Sequence, residues 1–135
     1  MYVSEISVRV RYNETDQMGY VHHANYALFY ELGRTDMFRK LGLPYSELEA
    51  RGVMLPVFSL NVNYLKPAFY DDKIIIKTYL RKMPKVKLIF DYEIFNEQGD
   101  LLNRGDTTLA FIKKESREIM RPPRFFIEVF EKFFV

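Results

Sequence analysis

One long helical pattern with an unusually broad apolar surface constrains the fold of this chain more than any other feature. Small or apolar residues recur at the spacing of a helix, at Tyr26, Phe29, Tyr30, Gly33, Met37 and Leu41. Further apolar residues widen this surface well beyond a narrow stripe, at Ala27, Leu28 and Leu32. A helix that is apolar over most of its circumference must be covered on most sides. We therefore predict a covered helix that begins between His22 and Asn25 and ends at Gly42.

Alternating apolar and polar residues on both sides of this helix predict β-strands. Residues 5–12 form the first, and their apolar face carries Ile6, Val8, Val10 and Tyr12. Four more are predicted at residues 55–66, 72–82, 86–96 and 101–114. The last three are joined by short turns, so we expect antiparallel pairing. The five strands would form one sheet with an apolar face, and the long helix is the obvious element to cover it.

Two shorter helices complete the predicted order. Ser46 and Glu49 have the spacing of a capping box, which predicts a short helix that ends near Arg51. Pro122-Pro123 breaks the chain, and a C-terminal helix follows with Phe126, Val129, Phe130 and Phe133 on one face. Its polar face is not rich in lysine and arginine, so we expect it to dock on the domain or on another subunit and not in a membrane. The whole pattern predicts an α+β fold.

Composition excludes several classes of function. The 135 residues are 48% hydrophobic and predict a single packed domain, residues 1–135. The chain has no cysteine, which excludes disulfides, zinc-thiolate sites and thiol nucleophiles. Its formal net charge of +2, with acids and bases interspersed, gives no indication of nucleic-acid binding. No signal peptide or membrane-spanning stretch is recognisable, so a cytoplasmic protein without stable membrane insertion is expected.

Residues 12–34 carry the residues that point to chemistry. Asp16 lies on the predicted loop between the first strand and the long helix, and Gly19, His22 and His23 stand between this acid and the helix. The start of a helix presents unpaired backbone N–H groups and the positive end of a dipole. An acid beside such donors can attack a carbonyl group while the N–H groups hold the resulting oxyanion. Metal ligation is disfavoured, because the acid and the two histidines are a poor ligand set.

The same residues carry a family resemblance. Residues 12–34 closely resemble the 4-hydroxybenzoyl-CoA thioesterase family, in particular its Tol–Pal-associated acyl-CoA thioesterase branch. The matching positions are Tyr12, Thr15-Asp16, Gly19, Val21, His22-His23, Asn25-Tyr26, Phe29, Glu31 and Arg34. A second, weaker match is Tyr64-Leu65-Lys66-Pro67-Ala68, followed by Asp71-Asp72. Gly33 departs from the alanine of many relatives, which we expect to widen the contact room along the helix.

The resemblance implies both a fold and an activity. The fold is the hotdog fold, a five-stranded antiparallel sheet wrapped around a long central helix, here with a C-terminal helix. The activity is hydrolysis of an acyl-CoA thioester without a metal or cofactor. Asp16 takes the place of the catalytic carboxylate, and the backbone N–H of His23 takes the place of the group that binds the thioester oxygen. Family active sites lie at a dimer interface, so a homodimer or homotetramer is expected.

Several alternatives stay open at this point. Asp16 can attack the carbonyl carbon directly or activate a water molecule. The acyl donor can be CoA or the pantetheine of an acyl-carrier protein, and a non-catalytic acyl-CoA-binding module is a further alternative. A hotdog dehydratase is disfavoured, because those enzymes pair a histidine with an acid in a different pattern. Glu31 and Arg34 are expected to pair along the helix.

The remaining candidates concern substrate binding. Gly19 suits a sharp turn or a close approach to a ligand. Tyr26 is a candidate for the acyl pocket, although a core position is the commoner outcome for such a residue. A basic cluster flanks the predicted turn at residues 83–85 and consists of Arg81, Lys82, Lys85 and Lys87. We interpret this basic cluster as a site for the phosphates of the donor, with a solvated turn as the alternative.

Overall fold

The fold is built from a five-stranded antiparallel sheet and a long helix that lies on one of its faces. The computed structural model describes residues 1–134. Within this range the elements are β1 (Tyr2–Arg9), α1 (Asn25–Lys40), α2 (Tyr45–Ala50), β2 (Val53–Met54), β3 (Val57–Tyr64), β4 (Lys73–Leu80), β5 (Lys87–Phe95), β6 (Leu101–Ala110), β7 (Ile112–Lys113) and α3 (Arg124–Phe130). A 3-10 turn, Tyr12–Glu14, lies between β1 and α1. This order confirms the predicted α+β class.

The sheet has the strand order β1-β4-β5-β6-β3, and each neighbouring pair is antiparallel. The short strands β2 and β7 form a separate two-stranded sheet. Antiparallel pairing of β4, β5 and β6 confirms what the short turns between them predicted. Because β1 and β3 lie at the two edges of the five-stranded sheet, each has one side that is unpaired within residues 1–134.

Three predicted boundaries are wrong in detail. The first strand covers Tyr2–Arg9 and not residues 5–12, because the chain turns away at the 3-10 turn and leaves Tyr12 78% exposed. The helix α2 begins at Tyr45 with Pro44 at its N-cap, so Ser46 forms no capping box. The last predicted strand is two strands, since the chain leaves the main sheet after Ala110 and β7 pairs with β2.

The core lies between α1 and the sheet, as the alternating patterns predicted. The inward residues of β4 and β5 are buried, namely Ile74, Ile76, Thr78, Leu80, Leu88, Phe90, Tyr92 and Ile94. Phe126 and Phe130 of α3 are also fully buried, and their rings pack against Phe38 of α1. The C-terminal helix therefore docks on the domain, which was one of the two expected outcomes.

Gly33 lets α1 approach the sheet closely. An ideal Cβ at this position would overlap the Thr78 hydroxyl and lie 3.1 Å from Cγ2 of Ile76. The expectation that glycine widens the contact room is therefore wrong. The absent side chain instead brings the helix backbone down onto β4.

A layer of polar side chains lies beneath the helix. The Tyr30 hydroxyl donates a hydrogen bond to Asn103 Oδ1, and the Tyr30 ring stacks on Tyr92 with 4.2 Å between centroids. The Tyr92 hydroxyl lies 2.7 Å from the Thr107 hydroxyl. Burial raises the pKa of Tyr92 to about 12, so its hydroxyl stays protonated at neutral pH. Gly105 makes room for this layer, because an ideal Cβ there would lie 2.8 Å from a ring carbon of Tyr30.

Arg34 joins this layer and does not pair with Glu31. Its guanidinium donates to the Tyr45 hydroxyl at 3.2 Å and to the Tyr92 hydroxyl at 3.4 Å. Arg34 is 7% exposed, whereas Glu31 is exposed. Among residues 1–134 no carboxylate lies within ion-pair distance of Arg34. The predicted helical pair is wrong because Arg34 turns inward to the sheet.

The helix leaves one edge of the sheet uncovered. Leu60 and Tyr64 of β3 stand opposite Thr107 and Asn103 of β6, which are buried under α1. Residues directly opposite each other on antiparallel strands point to the same face. Leu60 and Tyr64 nevertheless stay 44% and 54% exposed, because α1 lies mainly over β1 and β4. The predicted apolar face of β3 exists, interrupted by a bulge at Phe58, but within residues 1–134 it is covered only in part, at the half-buried Val62 and where Tyr64 packs against Tyr26.

We predict that Gly33→Ala destabilises the protein. Alanine is favoured over glycine in a helix interior by about 1 kcal/mol. Here the added methyl group would clash with the Thr78 hydroxyl, and overpacking of this kind costs about 1–3 kcal/mol. Chemical denaturation of Gly33→Ala should therefore give a lower free energy of unfolding than the parent protein.

Thr78→Ala provides the matched control, because it removes the clashing hydroxyl, which is buried without a hydrogen-bond partner within the described residues. In the Thr78→Ala background, Gly33→Ala should lose most of its destabilising effect. An equal loss of stability in both backgrounds would contradict close packing of α1 on β4.

Candidate active site

The loop that carries Asp16 is a tight hairpin. Thr15 and Val21 form a β-bridge, and the backbone N–H of Asp16 donates to the Tyr20 carbonyl at 2.8 Å. Gly19 has a φ of 79° and donates its N–H to the Asp16 carbonyl at 3.0 Å. The turn thus needs the left-handed conformation that glycine adopts without strain. Gly19 is confirmed as a turn residue, and its contact with substrate stays a prediction.

The carboxylate of Asp16 is held through one of its oxygens. Oδ1 accepts the backbone N–H of Met18 at 2.9 Å and that of Tyr20 at 3.2 Å. Oδ2 accepts no hydrogen bond from any group between residues 1 and 134, and the residue is partly exposed. One oxygen is therefore anchored while the other is available to a reacting molecule.

The start of α1 is fixed to the same loop through the carbonyl oxygen of Glu14. This oxygen accepts the backbone N–H of His22 at 2.8 Å and the side-chain Nδ2 of Asn25 at 2.8 Å. Glu14 is itself 7% exposed, and its carboxylate accepts the backbone N–H and the guanidinium of Arg11 at 2.7 and 3.2 Å. We call the Glu14 carbonyl oxygen with its two donors the Glu14 clamp, and a single residue, Thr15, separates Glu14 from Asp16. The hairpin and the helix start are thus one connected unit.

The backbone N–H of His23 points to no acceptor within the described part of the chain. The N–H groups on either side are satisfied, since that of His22 donates to the Glu14 carbonyl at 2.8 Å and that of Ala24 donates to Nδ1 of His22 at 3.1 Å. The two imidazole rings stack at 4.3 Å and are exposed. An unpaired N–H group at the positive end of a 16-residue helix is suited to bind a negatively charged oxygen.

Tyr64 reaches the same segment from β3. Its hydroxyl donates to the His23 carbonyl at 3.2 Å, and its ring packs edge-on against Tyr26 at 5.4 Å. Tyr26 is 3% exposed, and burial raises its pKa to about 12, so it forms part of the core below the helix start. A role for Tyr26 in the acyl pocket stays a prediction.

Sequence reasoning missed three residues that organise this site, Glu14, Asn25 and Tyr64. Asn25 and Tyr64 stood in the two matching motifs, but no contact was expected from either. Tyr64 and His23 are 41 residues apart, so only the folded chain brings them together. The single available signal for Glu14 was an acid at the end of a strand pattern, and that signal is weak.

Exposed aromatic side chains surround the hairpin. Tyr12 packs edge-on against Tyr70 at 5.7 Å, and Tyr20 packs edge-on against Phe69 at 5.3 Å. These four rings and Met18 are each at least 38% exposed. An apolar surface of this kind beside a carboxylate is typical of a binding site.

The basic cluster lies at the other end of the sheet. The Asp16 hairpin contacts Ala68 and Phe69, which precede β4, whereas Arg81 to Lys87 follow it. The length of β4 separates the two by about 25 Å. Lys82, Lys85 and Lys87 line an open cavity of about 790 Å³ together with Met83, Val86, Ile89 and Phe134. Within one chain the predicted phosphate site and Asp16 are therefore not brought together.

Arg81 differs from the three lysines. Its Nε lies 3.1 Å from Asp91 Oδ2, and its guanidinium lies 4.5 Å from the centroid of the Tyr79 ring. This arginine is thus already engaged on the outer face of the sheet. Binding of phosphate by the cluster would depend mainly on the lysines.

No group of three or more His, Asp or Glu side chains within residues 1–134 could hold a metal ion. No helix in the same range has the length and apolar character to span a bilayer.

Comparisons with known proteins identify the family of this chain. A model of the thioesterase-like superfamily matches residues 10–130. The acyl-CoA thioester hydrolase YbgC of Escherichia coli O6:H1 is 36% identical over 105 residues, which are 78% of this chain and 78% of that protein. The crystal structure of a DHNA-CoA thioesterase from Staphylococcus aureus is 40% identical, with a TM-score of 0.92, and covers 98% of this chain and 91% of that chain.

A more distant structure supports the fold alone. It is a 4-hydroxybenzoyl-CoA thioesterase mutant in complex with 4-hydroxybenzoyl-CoA, 22% identical, with a TM-score of 0.83 over 94% of this chain and 97% of that chain. The sheet, the long helix and these similarities confirm the predicted hotdog fold. The chain therefore belongs to the thioesterase-like superfamily.

Proposed function

We propose that this protein is an acyl-CoA thioesterase of the Tol–Pal-associated branch, with Asp16 as its reactive carboxylate. The observation that carries the proposal is that two groups without hydrogen-bond partners lie on one connected unit of the structure. Oδ2 of Asp16 and the N–H of His23 have no partner within the described residues, and the Glu14 clamp connects the segments that bear them. The names of the similar enzymes support thioester hydrolysis as the reaction.

The carbonyl oxygen of the thioester would accept the His23 N–H. The dipole of α1 favours the negative charge that develops on this oxygen during attack. Because α1 is packed tightly on the sheet, this donor is oriented before the substrate arrives. The polarised carbonyl carbon would then lie within reach of Asp16 or of a water molecule next to it.

Two routes lead to the products. In the first, Oδ2 bonds to the acyl carbon, the C–S bond breaks, and the CoA thiolate takes a proton from water. A second water then hydrolyses the mixed anhydride and regenerates the carboxylate. In the second, Asp16 takes a proton from a water molecule while the oxygen of that water attacks the acyl carbon. The C–S bond then breaks, and the proton passes from Asp16 to the leaving thiolate. Both routes give one free acid and one CoA.

We further propose that the active protein is a homodimer formed through the β3 edge, or a tetramer built from such dimers. The inward side chains of β3 are apolar and exposed, and the strand has an unpaired backbone edge. A second copy related by a two-fold axis would pair with this edge and cover Leu60 and Tyr64. Tyr64 also contacts His23, so the interface would adjoin the reactive groups.

Such a dimer would also bring the basic cluster of one copy to the end of the sheet where Asp16 of the other copy lies. A two-fold axis reverses the direction of the partner's strands, so the partner's turn between β4 and β5 comes to the end of the sheet where Asp16 lies. Three strand spacings, about 15 Å, would separate the partner's β5 from β3. The lysines of one copy would then bind the CoA phosphates while the other copy holds the thioester.

An acyl-carrier protein is the second candidate donor. The same lysines around an apolar cavity would suit an acidic protein surface as well as CoA phosphates. Turnover of matched acyl-CoA, acyl-carrier-protein and acyl-pantetheine substrates distinguishes the two donors. A non-catalytic acyl-CoA-binding module would bind CoA without turnover, and the available carboxylate oxygen of Asp16 argues against it.

We predict that Asp16→Asn lowers kcat by at least about a hundredfold, the scale of a lost nucleophile or general base. The amide can still accept from Met18 and Tyr20, so the hairpin should fold. Steady-state kinetics with a short acyl-CoA and thermal denaturation of the same variant measure both properties. Asp100→Asn, at a hairpin turn on the same end of the sheet, is the matched control and should keep its activity. Near-normal turnover by folded Asp16→Asn would remove Asp16 from the mechanism.

We predict that Leu60→Glu converts the assembly to monomers of 16.2 kDa and abolishes most activity. A charge on the uncovered face of β3 would be buried without a partner in the dimer. Light scattering at micromolar concentration measures the mass. Val3→Glu, on the other edge strand and with a matching exposure of 43% against 44%, should leave the β3 dimer intact. A parent protein that is monomeric and fully active would contradict the proposed assembly.

We predict that replacing Arg81, Lys82, Lys85 and Lys87 by alanine raises KM for acyl-CoA. The kcat for a short pantetheine thioester should hardly change, because phosphate contacts lie far from the acyl carbon. The rise in KM should shrink as salt is added, since exposed charges are screened over about 10 Å at 0.1 M. Alanine at four other exposed basic positions, Lys113, Lys114, Arg117 and Arg121, removes the same charge elsewhere and serves as the control. Equal KM values for the two variants at low salt would assign the cluster to a solvated turn.

A further inference from the structure

The N–H of His23 belongs to a short segment that is neither strand nor helix. Residues 22–24 connect the hairpin to α1, and only a few backbone hydrogen bonds hold them, such as that from the His22 N–H to the Glu14 carbonyl at 2.8 Å and that from the Tyr26 N–H to the His23 carbonyl at 3.4 Å. An oxyanion donor is effective only if its orientation is set before the reaction, and a displacement of about 1 Å can cost a hundredfold in rate. Side-chain hydrogen bonds to this segment would therefore add to the few backbone bonds that hold it.

Asn25 holds the segment on the side of the hairpin. Its Nδ2 donates to the Glu14 carbonyl at 2.8 Å, and its backbone N–H donates to the His22 carbonyl at 2.9 Å. The same Glu14 carbonyl accepts the His22 N–H, so one oxygen gathers both ends of the segment. Glu14 cannot move easily, because its buried carboxylate is bound to Arg11. Asn25 thus ties the donor peptide to the chain that leads to Asp16.

Tyr64 holds the segment on the side of β3. Its hydroxyl donates to the His23 carbonyl at 3.2 Å, and its ring is held in place by the edge-on contact with Tyr26. This carbonyl belongs to the peptide that follows the oxyanion donor, so the bond restrains rotation of the His23 backbone. Asn25 and Tyr64 therefore restrain the same three residues from two different elements.

We propose that Asn25 and Tyr64 are positioning residues that fix the His23 N–H relative to Asp16. Neither side chain is assigned a contact with the acyl group or with CoA. The inference rests on the proposed function, because it requires the His23 N–H to bind the thioester oxygen. Loss of either side chain would let the donor move while the substrate site and the fold stay intact.

Three substitutions test these roles by kinetics. Asn25→Ala and Tyr64→Phe should each lower kcat by about tenfold or more, with KM within about twofold. Asn25→Asp should cost more than Asn25→Ala, because its carboxylate would face the Glu14 carbonyl and repel it. A role in packing alone predicts the opposite order, since aspartate nearly matches asparagine in shape.

Matched controls exist for both residues. Asn96→Ala removes an asparagine that also bonds to a backbone group, the Asp100 N–H at 2.9 Å, in the turn between β5 and β6. Tyr2→Phe removes the hydroxyl of a partly exposed tyrosine on the other edge strand, whose ring packs against Phe133 at 4.5 Å. Both controls should keep the kcat of the parent protein.

A spectroscopic experiment measures the hydrogen bond that the His23 N–H donates to the thioester. Infrared difference spectroscopy records the carbonyl stretch of a short acyl-CoA labelled with carbon-13 at the thioester carbonyl and bound to Asp16→Asn, which holds the substrate without rapid turnover. A lower frequency than that of the free thioester reports the hydrogen bond from His23. Adding Asn25→Ala or Tyr64→Phe should return at least half of this shift, whereas adding Asn96→Ala or Tyr2→Phe should return none of it.

The possible outcomes separate this inference from the proposed function. A frequency unchanged by Asn25→Ala and Tyr64→Phe, in folded variants that bind acyl-CoA, would overturn the positioning role while leaving the His23 donor in place. No shift in Asp16→Asn alone would overturn the proposed role of the His23 N–H and this inference with it. A shift that Asn25→Ala and Tyr64→Phe both reduce supports the inference.

Discussion

The close seating of α1 on the sheet is the contact on which the rest of this structure depends. Gly33 removes the side chain that would hold the helix away from Thr78, and Gly105 leaves space for the ring of Tyr30. The helix can then lock into the sheet through hydrogen bonds from Tyr30 and Arg34 to side chains below and beside it. Because the first turn of this helix follows the His23 N–H directly, the depth of the helix also sets the position of the proposed oxyanion donor. A rigid helix is well suited to this task, since a preoriented donor needs no reorganisation during the reaction.

The same position of α1 leaves the inner face of the sheet covered mainly at β1 and β4. The helix lies over β1 and β4, while β3 presents apolar side chains on its inner face and an unpaired backbone edge. A long edge strand of this kind tends to pair with another chain. The exposed aromatic residues also indicate contact with another chain. Aromatic residues make up 16% of the sequence, and several of them lie exposed around the hairpin and along β3 instead of in the core. These features support the proposed pairing of two copies through β3.

The periodic parts of the fold were predictable from the sequence, and the contacts between distant segments were not. Alternation identified the buried face of β4 and β5, and helical spacing identified α1 close to its start at Asn25. The resemblance suggested Asp16 and His23 as a pair. It could not reveal the bond from Tyr64 to His23 or the shared carbonyl of Glu14, because such contacts depend on how two segments pack in three dimensions. The inward turn of Arg34 was missed for the same reason, since spacing along a helix favoured Glu31 and ignored the tyrosines of the neighbouring elements.

The direction of the strands decides how the proposed reactive groups and the proposed phosphate site lie relative to each other. Asp16 follows β1 and lies at one end of the sheet, whereas the three lysines follow β4 and lie at the other, about 25 Å away. A single chain would have to hold the acyl carbon at one end of a packed sheet and the phosphates at the opposite end. Pairing of two copies through β3 removes this conflict, because a two-fold axis exchanges the ends of the sheet. Each reactive site would then combine the carboxylate and the helix start of one copy with the lysines of the other. The β3 edge would thus be a requirement for catalysis as well as for assembly.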